Sequence, residues 1–432
     1  MAKRALIIAG AVAIVLILVL GGVFYCVLDK EDGKDDRGNI QHPAEWDMEF
    51  LDEKNSTEDG VQDMVSANNR FAMDLYLRLL EDENVMICPY SIFSALSMTY
   101  EGANGNTASQ MKDVLHLPDD DIERRGSFAK VQNDINRGSE EYELATANKI
   151  WPHEGFPVEE DFVNIIKQFY YGGVEALDYG NDPASCREKI NTWVANRTND
   201  RIEDLIPEGV LGYETYMVLT NAVYFKGTWV FQFDEDETID RDFHREDGTK
   251  VQVPMMSMLL EDDDQLDYWE DSDLQAVELP YEGDEVSMML LLPKDGTLSE
   301  MESELDAERL EEIRNGMDKT EIELYMPRFD MKQKYNLNEP LKDLGMTDAF
   351  GDADFSKMTP ELDLFIDQVF HDTFIEVNEE GTEAAGATAV GVSYESIPSY
   401  PTFNANRPFM FLIQQKETGN ILFMGRVADP SI

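Results

Sequence analysis

The chain has 432 residues, 43% hydrophobic and 10% aromatic, enough apolar material to bury a sizeable core and to exclude a compositionally disordered chain. Its 88 acidic residues against 35 basic ones give a formal charge of −53, which excludes ordinary binding to a nucleic-acid backbone, because that requires a concentrated Lys/Arg footprint. The same excess fits a solvated acidic surface and a chain kept soluble in high salt, where screening relieves self-repulsion.

After Met1, Ala2, Lys3 and Arg4, residues 5–28 carry no charge. At about 1.5 Å per residue this run covers roughly 36 Å, sufficient to cross a bilayer core. It is longer than the apolar part of a cleaved signal peptide and ends on Phe24-Tyr25 rather than on small residues. With Lys3 and Arg4 inside, residues 1–28 read as a signal anchor that leaves the rest of the chain outside the membrane. Residues 29–66 open on DKEDGKDDRG and stay polar, an acidic linker or tether. Residues 67–432 show no second linker and no internal repeat, which argues for one large domain.

Within that domain, 68–80, 91–100, 106–115, 159–170 and 183–195 have helical spacing, with Gly102 and Gly105 breaking the chain between two of them. From about residue 215 the period changes. Residues 217–225, 275–279, 286–292, 321–326 and part of 364–377 read as strands. The chain closes on two strands, 409–415 and 421–427, joined by a KETGN turn. Helices first and many strands later indicate an α+β fold with large mixed or antiparallel sheets.

The catalytic vocabulary is thin. Cys26 lies in the apolar run, so Cys88 and Cys186 could form at most one disulfide, and no HExxH or CxxC is present. The five histidines are dispersed, no GxSxG nucleophile occurs, and no metal, cofactor or enzymatic constellation is expected.

The unusual segment is 379–398, EEGTEAAGATAVGVSYESIP. On composition alone it is a passive Gly/Ala linker. It also has a period of two. Thr382, Ala384, Gly386, Thr388, Val390 and Val392 form one uncharged face, so the segment could become a strand with that face buried.

With its surroundings, this sequence resembles the serpin family from Asn68 to Pro430. The motifs are the hinge EEGTEAAGAT (379–388), FNANRPF (403–409) followed by TGNILFMGRV (418–427), and NAVYFKGTW (221–229). CPYSI (88–92), EGANGNT (101–107) and INTWV (190–194) agree in order and spacing. The resemblance implies three β-sheets with about nine helices, an exposed reactive loop, and a metastable monomer that is not an enzyme. It implies an irreversible suicide-substrate inhibitor of serine proteases. The target's serine attacks the loop, and the loop then inserts into the central sheet and carries the acyl-enzyme with it. Inhibitory hinge residues would be Glu379, Glu380, Gly381, Thr382, Glu383, Ala384, Ala385, Gly386, Ala387 and Thr388.

Counting the family's hinge spacing from Gly381 puts the cleaved bond at Glu395-Ser396, implying a Glu-directed target. A cut after Tyr394 would imply a chymotrypsin- or subtilisin-like protease, and Glu395 as a plain loop charge stays open. Ser91, Asn221 and His371 match the polar cluster called the shutter, with Cys88 where serine is usual. Trp229 matches the tryptophan at the breach, where insertion begins. The acidic stretch 113–125 offers no basic patch, so a heparin-type activator is not expected. The alternative is a non-inhibitory relative that acts as a chaperone or binding protein.

Overall fold

The computed structural model describes residues 50–81, 83–136, 142–260, 264–360, 364–382 and 400–432. The expected anchor (1–28) lies outside them, and among the described residues no helix is long and apolar enough to cross a membrane. Nine α-helices and three sheets are present among the described residues, and residues 50–432 form one compact unit.

The first helix, Glu58–Leu79, begins ten residues earlier than its apolar pattern suggests. Thr57 caps it, accepting from the Gly60 N–H at 2.9 Å, and Met64 and Val65 are already buried. The segment read as a tether to residue 66 therefore ends inside a packed helix. Residues upstream are held as well. The Asn133 side chain accepts from Leu51 N and donates to Leu51 O.

The six-stranded sheet has the order Phe329–Asn336, Gln368–Val377, Gly381–Thr382, Met217–Thr228, Tyr142–Pro152, Gly173–Val174. Met217–Thr228 is buried on successive residues because both its faces are covered. Beneath it lies a seven-stranded sheet that includes the expected strands Val286–Pro293, Phe409–Gln415 and Ile421–Val427. Aromatic pairs join the two layers. Phe225 meets Phe423 and Phe329 meets Phe411, at centroid distances of 6.1 and 5.6 Å. A four-stranded sheet (Ile239–His244, Lys250–Leu260, Ile322–Pro327, Thr402–Asn404) completes the fold.

Two helices matter for the site. Pro89–Tyr100, buried for nearly its whole length, packs against Met217–Thr228, Tyr142–Pro152 and Ile421–Val427. Pro183–Arg197 covers the opposite face of the six-stranded sheet. Its Cys186, Ile190 and Val194, with Ile202, Leu205 and Ile206 of the returning chain, bury Val218, Ala222 and Phe370. Cys88 and Cys186 are both buried free thiols.

Candidate functional site

Gln368–Val377 and Met217–Thr228 run parallel and pair from Gln368↔Val218 to Phe374↔Tyr224. Beyond Tyr224 they part, and the two-residue strand Gly381–Thr382 occupies the gap. Thr382 pairs with Val377 on one side and Gly227 on the other, while Gly381 pairs with Thr228. The sheet thus carries a seated wedge at one end of a closed seam.

The chain reaches that position by a tight reversal. Asn378 Oδ1 accepts from Glu380 N and Gly381 N at 3.1 and 3.2 Å, and Asn378 N donates to Gly381 O at 2.9 Å. Trp229 anchors the reversal twice. Its backbone N–H donates to Glu380 O (2.8 Å) and its indole N–H to Asn378 O (3.0 Å). The Trp229 ring stacks on Tyr281 at 4.4 Å, and the Tyr281 hydroxyl lies 2.7 Å from the Thr382 hydroxyl. Gly381 is demanded by space. A Cβ there would lie 2.0 Å from Gly227 O, on a backbone with φ +156°.

The Glu379 carboxylate, 2% exposed, accepts from Thr238 Oγ1 (2.6 Å), Arg328 Nε (3.1 Å) and the Arg328 terminal nitrogen. Burial pushes its pKa up, but the Arg328 and Thr238 hydrogen bonds outweigh it and hold the carboxyl below its ordinary value.

Halfway down the seam, where His371 and Asn221 face each other in register, lies a buried polar cluster. His371 Nε2 accepts from the Cys88 N–H at 3.0 Å, so the ring proton sits on Nδ1 and is donated to Asn221 Oδ1. Asn221 Nδ2 donates to Ser91 Oγ (2.6 Å) and Asn148 Oδ1 (2.8 Å), and Ser91 Oγ donates to Asn148 Oδ1 (2.7 Å). Full burial pushes the imidazole pKa down to about 3, so the ring is neutral.

The structure brings Ser91, Asn221 and His371 together and places Trp229, Glu379, Glu380, Gly381 and Thr382 at the open end. Cys88 joins through its backbone N–H. Asn148, Tyr281, Arg328 and Thr238 were not singled out from sequence. Asn148 sits in an alternating strand where one amide looks like any other. Glu383, Ala384, Ala385, Gly386, Ala387, Thr388, Tyr394, Glu395 and Ser396 lie outside the described residues.

Comparison with known proteins is consistent across the domain. The family described as "Serpin (serine protease inhibitor)" matches residues 66–430. A serpin-like protein of Methanosarcina mazei is 38% identical over 378 residues, covering 85% of this chain and 88% of that protein. The leukocyte elastase inhibitor of Bos taurus is 36% identical over 381 residues, covering 86% of this chain and 100% of that protein. Among solved structures, a highly specific serpin of the insect Tenebrio molitor superposes with a TM-score of 0.77 at 31% identity, covering 85% of this chain and 98% of that one. Human thyroxine-binding globulin in complex with its ligand superposes equally well, with a TM-score of 0.77 at 28% identity, covering 86% and 99%.

Proposed function

Since the chain belongs to the serpin family, we propose that it is an inhibitory member, a single-use trap for a serine protease. The reaction starts at the target. Its serine Oγ attacks the carbonyl carbon of the bond at Glu395-Ser396, that C–N bond breaks, and Ser396 leaves as a new amino terminus. The residue before the cut stays esterified to the protease. The freed loop then zips down the seam from Thr382 and displaces the acyl-enzyme before water hydrolyses the ester.

The observation that carries this reading is the seated wedge. Thr382 pairs with both Val377 and Gly227, and those two residues belong to the same parallel register that closes the rest of the seam. Continuing that register downward sets Ala384 between Phe225 and Ile375, Gly386 between Val223 and Thr373, Thr388 between Asn221 and His371, and Val390 between Leu219 and Val369. Ala384 meets the large Phe225 and Ile375, and the Thr388 hydroxyl arrives at the polar cluster. Each new ladder hydrogen bond contributes on the order of 1 kcal/mol net, and an interior strand forms them on both sides. Fourteen inserted residues at about 3.3 Å each carry the protease roughly 45 Å.

The uncharged run 5–28 behind Lys3 and Arg4 supports a membrane tether with the inhibitor domain outside the cell, or secretion if that run is cleaved. The test is to incubate the protein with Glu-, Tyr- and Phe-directed serine proteases. An SDS-stable covalent complex, with mass spectrometry of the released fragment, supports the reading and fixes the bond. Clean digestion by every protease, without a complex, supports the binding-protein alternative instead.

A further inference from the structure

Two Asn-x-Ser/Thr triplets occur in the chain, Asn55-Ser56-Thr57 and Asn196-Arg197-Thr198, and neither takes part in the site at the seam. Such a triplet can accept a sugar where it lies on a surface loop, and the fold separates the two. Asn55 is exposed in a turn that Ser56 closes, its backbone N–H and its hydroxyl both donating to Glu53 O, at 3.0 and 2.8 Å. The helix Asp121–Asn136 lies against the inner side of that turn. A Cβ on Gly126 would come within 2.9 Å of the Asn55 carbonyl carbon, so the backbone faces the helix and the amide side chain is left to solvent. Thr57 is exposed on extended backbone (φ −124°, ψ 162°), its hydroxyl bonded at the surface to Gly60 N and Glu123.

The second triplet is built differently. Asn196 is exposed, but it and Arg197 end the helix Pro183–Arg197, and Thr198 is 0% exposed. The Thr198 hydroxyl donates to Val194 O (2.9 Å) and accepts from Ile202 N (3.3 Å). An enzyme that must read an asparagine together with the hydroxyl two residues on finds both at the surface only in the first triplet. Beside it, the Lys54 side chain is 85% exposed. The Lys54-Asn55 peptide bond is therefore open to a Lys-directed protease, at a point between the domain and the proposed anchor.

We propose that Asn55 carries an N-linked saccharide, and that this sugar shields the Lys54-Asn55 bond through which the domain is retained by its tether. In the transfer, Asn55 Nδ2 bonds to the anomeric carbon of a sugar carried on a polyprenyl phosphate or diphosphate. The anomeric C–O bond breaks, the lipid phosphate leaves with its electron pair, and one amide proton is lost. A bulky, hydrated group next to a scissile bond keeps a protease's cleft from closing on it. This inference rests on the reading that places the domain outside the cell, because surface sequons of exported chains are the ones that receive such sugars.

The experiment uses the full chain made in the cells that express it naturally, as wild type, Asn55→Gln and Thr57→Ser. The last of these keeps both the triplet and the helix cap. Mass spectrometry of the peptides containing Asn55 and Asn196 reads the modification. Trypsin added to intact cells and to the culture medium reads whether the domain lies outside, and how fast the chain is cut after Lys54. Wild type and Thr57→Ser should carry a sugar mass on Asn55, Asn55→Gln should carry none, and Asn196 should be bare in all three. Cutting after Lys54 should be several-fold faster in Asn55→Gln. A bare Asn55 in a domain that trypsin reaches overturns the proposal, as does a sugar on Asn196 alone. A sugar on Asn55 with equal cutting in wild type and Asn55→Gln overturns the shielding. If trypsin reaches the domain neither on intact cells nor in the medium, the outside placement itself fails, and the proposal falls with it.

Discussion

Lowering the pH from 7 to 4 should destabilise the closed sheet through His371. The ring is fully buried and neutral, and its pKa falls from 6.5 to about 3. A group whose folded pKa is depressed in this way takes up its proton first in the unfolded chain. Above pH 6.5 it contributes its full stability, and that contribution is lost as pH falls towards 3. The difference between 6.5 and about 3, at about 1.36 kcal/mol for each pH unit, amounts to about 5 kcal/mol. That is a large share of the 5–15 kcal/mol (about) that holds a typical domain folded. An imidazolium also cannot accept the Cys88 N–H, so the cluster at the middle of the seam would break. The assay is urea unfolding at intervals between pH 7.5 and 4, for wild type and for His371→Gln. Gln removes the titration and can still accept from Cys88 and donate to Asn221. The wild-type stability should fall relative to the variant by about 1.4 kcal/mol per pH unit below 6.5. A difference between the two proteins that stays flat with pH would refute the reasoning, as would a His371 imidazole resonance, assigned by its loss in the variant, titrating near 6.5.

Other perturbations address the open end of the seam. Gly381→Val puts a Cβ about where Gly227 O lies, 2.0 Å away. It should cost about 1–3 kcal/mol and turn the protein from trap to substrate, seen on a gel as cut inhibitor without covalent complex. Glu379→Gln keeps a carbonyl acceptor but removes the negative charge that Arg328 pairs with. It should lower stability by about 1–3 kcal/mol and hasten spontaneous loss of activity on warming. Because the Glu379 pKa is depressed in the fold, the gap between wild type and variant should close as pH falls below the carboxylate's ordinary value near 4.5. Thr388→Asp would bring a charge between Asn221 and His371 at the centre of the inserted strand. Trapping should stall there and hydrolysis should win, read as a rise in inhibitor consumed per protease.

Of the expected hinge only Glu379 to Thr382 lie among the described residues, with Gly381 and Thr382 in the six-stranded sheet; the period of small residues through Ala384, Gly386 and Thr388 is a feature of the sequence. The pairing of His371 with Asn221 was accessible only through family resemblance, since no local pattern links residues so far apart in the chain. The helix Asp121–Asn136 was not foreseen. Its buried face includes Arg124, Gln132 and Asn133, polar residues that serve as clamps. Arg124 and Arg125 both bind the buried Glu101 carboxylate, and Asn133 grips the Leu51 peptide. Phe128, Val131 and Ile135 share that buried face, and mixing them with polar clamps weakens the hydrophobic period that would reveal the helix.

Inhibition by insertion requires the closed seam to be less stable than the seam with the loop inside it. The most direct measurement is the melting midpoint of the protein before and after a non-target protease nicks the chain between residues 383 and 399. A large rise on nicking, with the two fragments still associated, is the predicted result. An unaltered or lower midpoint would contradict it.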